Sequence, residues 1–124
     1  GWSLGGYIAR EVARDQPDDV SQVITLGSPV VGGPKYTVFA PLYVRRGQDL
    51  DAIEQRMAER DTNPIRVPLT VIYSRRDGIV NWRACVDAIH PQARHFEVDT
   101  RHMGMGFSPE VFRKVAQSLA HSRQ

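Results

Sequence analysis

The sequence predicts an α/β domain built on a parallel sheet, and three observations carry that reading. Three short apolar runs, in QVITLGSP (22–29), LTVIYS (69–74) and RHFEV (94–98), are bounded by the turn and loop residues that flank buried strands, the first two rich in β-branched residues. Around them lie segments whose apolar residues recur every three or four positions, the period of an amphipathic helix. The chain also opens on GWSLGG, a serine set among glycines immediately before the first helical pattern.

The elements follow in order. LGGYIAREVARDQPDDV spaces Leu4, Ile8 and Val12 four apart among Arg10, Glu11, Arg14 and Asp15, an amphipathic helix that Pro17 ends. QVITLGSP is the first strand, closed by Gly27 and Pro29. Residues 31–66 form a less regular insert: VVGGPKYTVFAPLYV is apolar but broken by Gly and Pro, and DLDAIEQRMAER puts Leu50, Ile53 and Met57 on one helical face. LTVIYS is the second strand and runs into the polar loop RRDGIVN. WRACVDAI reads as a short helix, RHFEV as a briefer third strand, and DTRHMGMG as the loop behind it. In SPEVFRKVAQSLAHS, Ser108 is set to cap a helix with Pro109 at its first position and Glu110 in its first turn; Val111, Val115 and Leu119 form its apolar face. Strands alternating with helices imply parallel β-α-β units with right-handed crossovers, and continuous apolar strands imply a sheet covered on both faces.

Bulk properties narrow the function. The length of 124 residues suits one domain. No window approaches the roughly 18 consecutive apolar residues of a membrane span. The net charge of +2 comes from arginines interleaved with almost as many acids, so no block of one sign tracks a phosphate backbone, which argues against nucleic acid as a partner. The single cysteine, Cys85, rules out an internal disulfide and a multi-cysteine metal site; the apolar pattern around it predicts a buried small side chain.

The chemistry begins at Gly1-Trp2-Ser3-Leu4-Gly5, which fits G-x-S-x-G, a motif whose glycines let a strand turn sharply into a helix with the serine at the tip of the bend. A serine hydroxyl is a poor nucleophile until a base takes its proton, and the base needs a carboxylate to hold its tautomer. Asp77 lies just past LTVIYS and His102 just past RHFEV, giving the chain order Ser, Asp, His at the carboxyl ends of successive strands. Asp99 competes for the acid role from the loop that also holds His102. Asp61 and Asp87 read as solvated charges at or within helices, and His90, His95 and His121 as structural or solvated.

With these residues assembled, the chain resembles the C-terminal half of an α/β-hydrolase, of the bacterial esterase and lipase type. The words that carry the resemblance are GWSLGG, VITLGSP, VIYSRRDGIVNW and RHMGMG, which span nearly the whole chain with the insert the least recognisable part. The resemblance implies Ser3 as nucleophile, Asp77 as acid and His102 as base, with the backbone N–H of Leu4 binding the oxyanion. It implies, for the complete protein, a serine hydrolase that cleaves carboxylic esters through an acyl-enzyme, without cofactor or metal, on a small ester or lipid substrate; residues 1–124 by themselves are expected to hydrolyse activated esters poorly. Residues 31–66 are where this family places a cap; Tyr36, Phe39, Leu42 and Tyr43, with Trp2, are its candidate substrate contacts. The family's strand before the serine and its second oxyanion donor are not in this sequence, so residues 1–124 are expected to be the C-terminal portion of one α/β-hydrolase domain, truncated at the nucleophile elbow. An acyltransferase, a thioesterase or a cofactor-free haloperoxidase of the same fold, or a non-catalytic binding protein that kept the architecture, are the competing functions.

Overall fold

A computed structural model describes residues 1–121. Three parallel strands, β1 (Val23–Leu26), β2 (Leu69–Tyr73) and β3 (Arg94–Glu97), lie in one open sheet in the order β1-β2-β3. The register runs Val23 opposite Leu69 and Ile72 opposite Phe96. Gly1 and Trp2 extend the same ladder on the free side of β1: the Gly1 amine donates to the Ile24 carbonyl at 2.8 Å, Leu26 N–H to Gly1 at 2.9 Å, and Ser3 N–H to Leu26 at 2.8 Å.

The helices are α1 (Leu4–Asp15), α2 (Ala40–Arg45), α3 (Leu50–Asp61), α4 (Trp82–Cys85) and α5 (Pro109–His121). Alternation along each strand divides the core in two. One cluster joins Val23 and Leu69 to Ala13 of α1 and to Ile65 and Val67 at the exit of the insert. The other joins Ile72 to Val98, Met105 and Val111, the last from α5. β2, central and buried along its first four residues, meets the two-sided expectation; β3 does not, because as the edge strand it alternates half-buried Arg94 and Phe96 with exposed His95 and Glu97. No helix is long and apolar enough to cross a membrane among the described residues.

Several expectations change. The stripe Leu4, Ile8, Val12 is 57, 53 and 45 % exposed, and α1 instead buries Gly6, Arg10, Ala13 and Arg14. Small residues bring that face close to β1, and each buried arginine is matched by acceptors: Arg10 by Asp87 at 2.7 Å, Arg14 by Asp61 at 2.7 Å and the Arg60 carbonyl at 2.9 Å. Likewise Val111 of α5 is buried but Leu119 is exposed. The insert, irregular by sequence, contains a 3-10 turn at Gly33–Tyr36 and the short helix α2 before α3. Helix α4 stops after Cys85 because Asp87 Oδ1 takes the backbone N–H groups of Ile89 and His90, both at 2.9 Å, a local turn that competes with the helix. Asp87 is therefore buried rather than solvated. Cys85 is buried as its pattern predicts.

Candidate active site

The site lies at the carboxyl ends of the strands, built from three turns. In the first, the ladder of Gly1 and Trp2 gives way within one residue to α1. Ser3 makes the turn with φ 53° and ψ −125°, the one non-glycine residue with positive φ among the described residues. Such a conformation costs an L-residue of order 1–3 kcal/mol and persists only where the surroundings hold it. Here Ser3 N–H is bonded to Leu26, and its carbonyl accepts from Gly6 N–H at 3.0 Å, so the bend is clamped from strand and helix. A side chain at Gly1 would run into the Gly5 carbonyl, and one at Gly6 into Ser28. The spacing G-x-S-x-G counts Gly1 and Gly5, but the close approaches need Gly1 and Gly6; nothing crowds Gly5.

The second turn follows β2. Asp77 N–H donates to the Ser74 carbonyl at 3.2 Å, and Asp77 Oδ1 accepts from the N–H groups of Ile79 and Val80, both at 2.9 Å. That leaves Oδ2 for His102 Nδ1, 2.6 Å away, on the third turn behind β3. The two side chains are 1 and 5 % exposed. A carboxylate only accepts, so Nδ1 carries the proton and donates, and Nε2 is left as the basic nitrogen. The hydroxyl of Ser74 ties the two turns together, accepting from Arg76 N–H at 3.1 Å and Thr100 N–H at 3.4 Å. Burial and the nearby Asp77 charge push the Cys85 thiol up to about 12.

Gly27 makes room for the pair. It has φ 53°, and a Cβ there would stand 2.9 Å from Asp77 Oδ2, 2.9 Å from Met105 Sδ and 3.2 Å from His102 Nδ1. Because Gly27 follows Leu26, the residue bonded to Ser3 N–H, it links the elbow to the pair. Trp2 lies beside His102 with ring centroids 5.5 Å apart. The Ser3 hydroxyl itself has no hydrogen bond among the described residues, to His102 or elsewhere. Leu4 is the first residue of α1, so its N–H belongs to a turn without intrahelical acceptors.

Asp99, the competing acid, instead pairs with Arg76 at 2.9 Å in solvent, and Arg75 pairs with Glu97 at 3.2 Å; neither arginine reaches Asp77 by a salt bridge. Ser3 opens into a mainly apolar cavity of about 650 Å³. Phe39, Leu42 and Tyr43 of the insert line it, with Met57 of α3 and Tyr7 of α1. Tyr36 lines a separate open depression with Asp77 and Trp82, and Trp2 lines neither. Gly27 and Ser74 are the site residues that sequence reasoning missed; their positions at strand ends, one position beyond the last apolar residue, were the available signal. Among the described residues no group of three His, Cys, Asp or Glu side chains is placed to hold a metal ion.

No protein-family model and no curated protein matches the chain. Among solved structures it is similar to an α/β-hydrolase enzyme from the metagenome of sediments from the lagoon of Mar Chica, Morocco, with a TM-score of 0.64 and 19 % identity. The match covers 99 % of this chain and 60 % of that one, so the chain spans 60 % of that enzyme's length. The likeness is one of fold.

Proposed function

We propose that the protein is a serine hydrolase of the α/β-hydrolase type acting on carboxylic esters, with Ser3, His102 and Asp77 as its triad. The observation that carries the reading is the strained backbone of Ser3 at a strand-to-helix bend, on the same strand ends as a buried Asp77–His102 hydrogen bond of 2.6 Å. In the reaction, His102 Nε2 takes the Ser3 proton as Oγ attacks the ester carbonyl. The Leu4 N–H donates to the oxyanion, and the alcohol departs with the proton that His102 returns. Water then enters and attacks the acyl carbon as His102 takes one of its protons; the Oγ–acyl bond breaks, His102 returns that proton to Ser3 Oγ, and the acid leaves. Asp77 orients the imidazole and stabilises its cation. The free Ser3 hydroxyl fits this role, since catalytic hydrogen bonds often tighten only when substrate is bound.

Residues 31–66 act in this reading as a cap, with Phe39, Leu42 and Tyr43 bounding an acyl-binding cavity beside Ser3. Incubation with a fluorophosphonate probe should label Ser3, as mapped by peptide mass spectrometry, and Ser3→Ala should abolish labelling and 4-nitrophenyl ester hydrolysis. Asp77→Asn should keep the fold but lower kcat by about 10³ to 10⁴, because the amide favours the wrong imidazole tautomer. Failure of the complete wild-type protein both to react with the probe and to cleave esters would end the reading.

A further inference from the structure

Of the residues lining the cavity beside Ser3, one is charged: Arg46. It follows α2 directly, its backbone N–H bonded to the Leu42 and Tyr43 carbonyls at 3.1 Å, which anchors its Cα at the cavity wall. Its guanidinium has no hydrogen bond or ion pair among the described residues. Arg14 and Arg60, which fasten the insert to α1, are by contrast occupied, Arg14 by Asp61 and Arg60 by Asp15 and Glu11. The acid nearest along the chain, Asp49, is engaged too, its Oδ1 accepting from Asp51 and Ala52 N–H at 3.0 and 3.1 Å to cap α3. Next to Arg46 on the wall is Gln48, an amide able to donate to the same group. The elbow side of the cavity offers the opposite character, with Leu4, Tyr7 and Pro29 around Ser3.

We propose that Arg46, assisted by Gln48, binds a carboxylate at the end of the acyl chain remote from the scissile bond, so that the preferred substrates are hemiesters of dicarboxylic acids. The proposal rests on the cavity being the acyl site of the hydrolase reading above. An unpaired guanidinium beside an apolar cavity gives little to a neutral chain, whereas a planar fork of donors matches a carboxylate in two hydrogen bonds. The methylenes between the ester and the carboxylate would lie along Phe39 and Leu42. Because Arg46 is open to water, its effect is that of a partly screened pair and falls with salt.

The test compares mono-4-nitrophenyl suberate with 4-nitrophenyl octanoate in wild type, Arg46→Gln and Arg46→Lys. The ratio of kcat/KM, anionic over neutral, should fall roughly fivefold in Arg46→Gln, through KM rather than kcat, recover in part in Arg46→Lys, and shrink in high salt. Binding of the uncleaved pair suberate monoamide and octanamide, followed by calorimetry, reads the same preference without catalysis. A ratio and a binding preference that Arg46→Gln leaves unchanged would overturn the proposal. A binding preference lost in Arg46→Gln, in a protein whose Ser3 never acylates, would uphold the anion site while removing the hydrolase reading.

Discussion

At the scale of single residues, the site depends as much on missing side chains as on those present. Gly27 has a backbone conformation that disfavours L-residues and a vacancy against which Asp77, His102 and Met105 all press. Gly27→Ala would meet both costs, and the atoms that must give way are the ones aligning the imidazole. We expect a fall in kcat of at least about tenfold, with a loss of stability of about 1–3 kcal/mol. Ester kinetics beside urea denaturation checks it; a variant destabilised but fully active per folded molecule would show that the pair tolerates displacement. The triad candidates were legible in the sequence because they belong to a motif and to strand ends. Gly27 was legible only as the residue that closes a strand, since its role comes from two turns 50 and more residues away.

At the scale of elements, strands and helices followed their periodicity, but the direction each helix faces did not. Leu4, Ile8 and Val12 repeat correctly for a helix and point away from the sheet, while the buried face is made of glycine, alanine and two arginines. A hydrophobicity pattern scores an arginine as exposed; it cannot anticipate acceptors supplied from 46 or 77 positions along the chain. Arg14 shows what those acceptors achieve. It holds Asp61 and the carbonyls of Arg60 and Asn63, fastening the end of α3, and with it the insert, to α1. Arg14→Leu should therefore destabilise the protein by about 3 kcal/mol, because acceptors arranged around a cation lose it. Hydrogen exchange should quicken in α3 more than in β1 and β2. Equal loss of protection in all three would mean that Arg14 supports the whole fold rather than the attachment of the insert.

At the scale of the molecule, one buried ionic group joins the parts that the sheet alone does not. Asp87 Oδ2 meets Arg10 of α1 at 2.7 Å and His90 Nδ1 at 2.8 Å, and His90 Nε2 accepts from Ile65 N–H at 2.9 Å, where the insert returns to the sheet. That last bond leaves the His90 proton on Nδ1, so the Asp87 carboxylate accepts from Arg10, from the His90 ring and from the Ile89 and His90 N–H groups. Burial alone would raise the Asp87 pKa, but the His90 and Ile89 N–H groups and the Arg10 cation outweigh it and hold the value at about 2, below the ordinary 3.8. A carboxylate whose pKa is depressed in the folded state gives stability that is whole above the unfolded value and is lost as pH falls through the folded one. The window for Asp87 thus runs from about pH 4 down to about pH 2. Asp87→Asn, which leaves Arg10 buried without its counter-charge, should cost about 3 kcal/mol at pH 7. Because the variant has no carboxylate to protonate, its stability should then decline less than that of wild type between pH 4 and pH 2. Urea denaturation at pH 7, 4 and 2.5 measures both effects. Parallel acid slopes in the two proteins would assign the acid sensitivity to other carboxylates and leave Asp87 a neutral bystander to it.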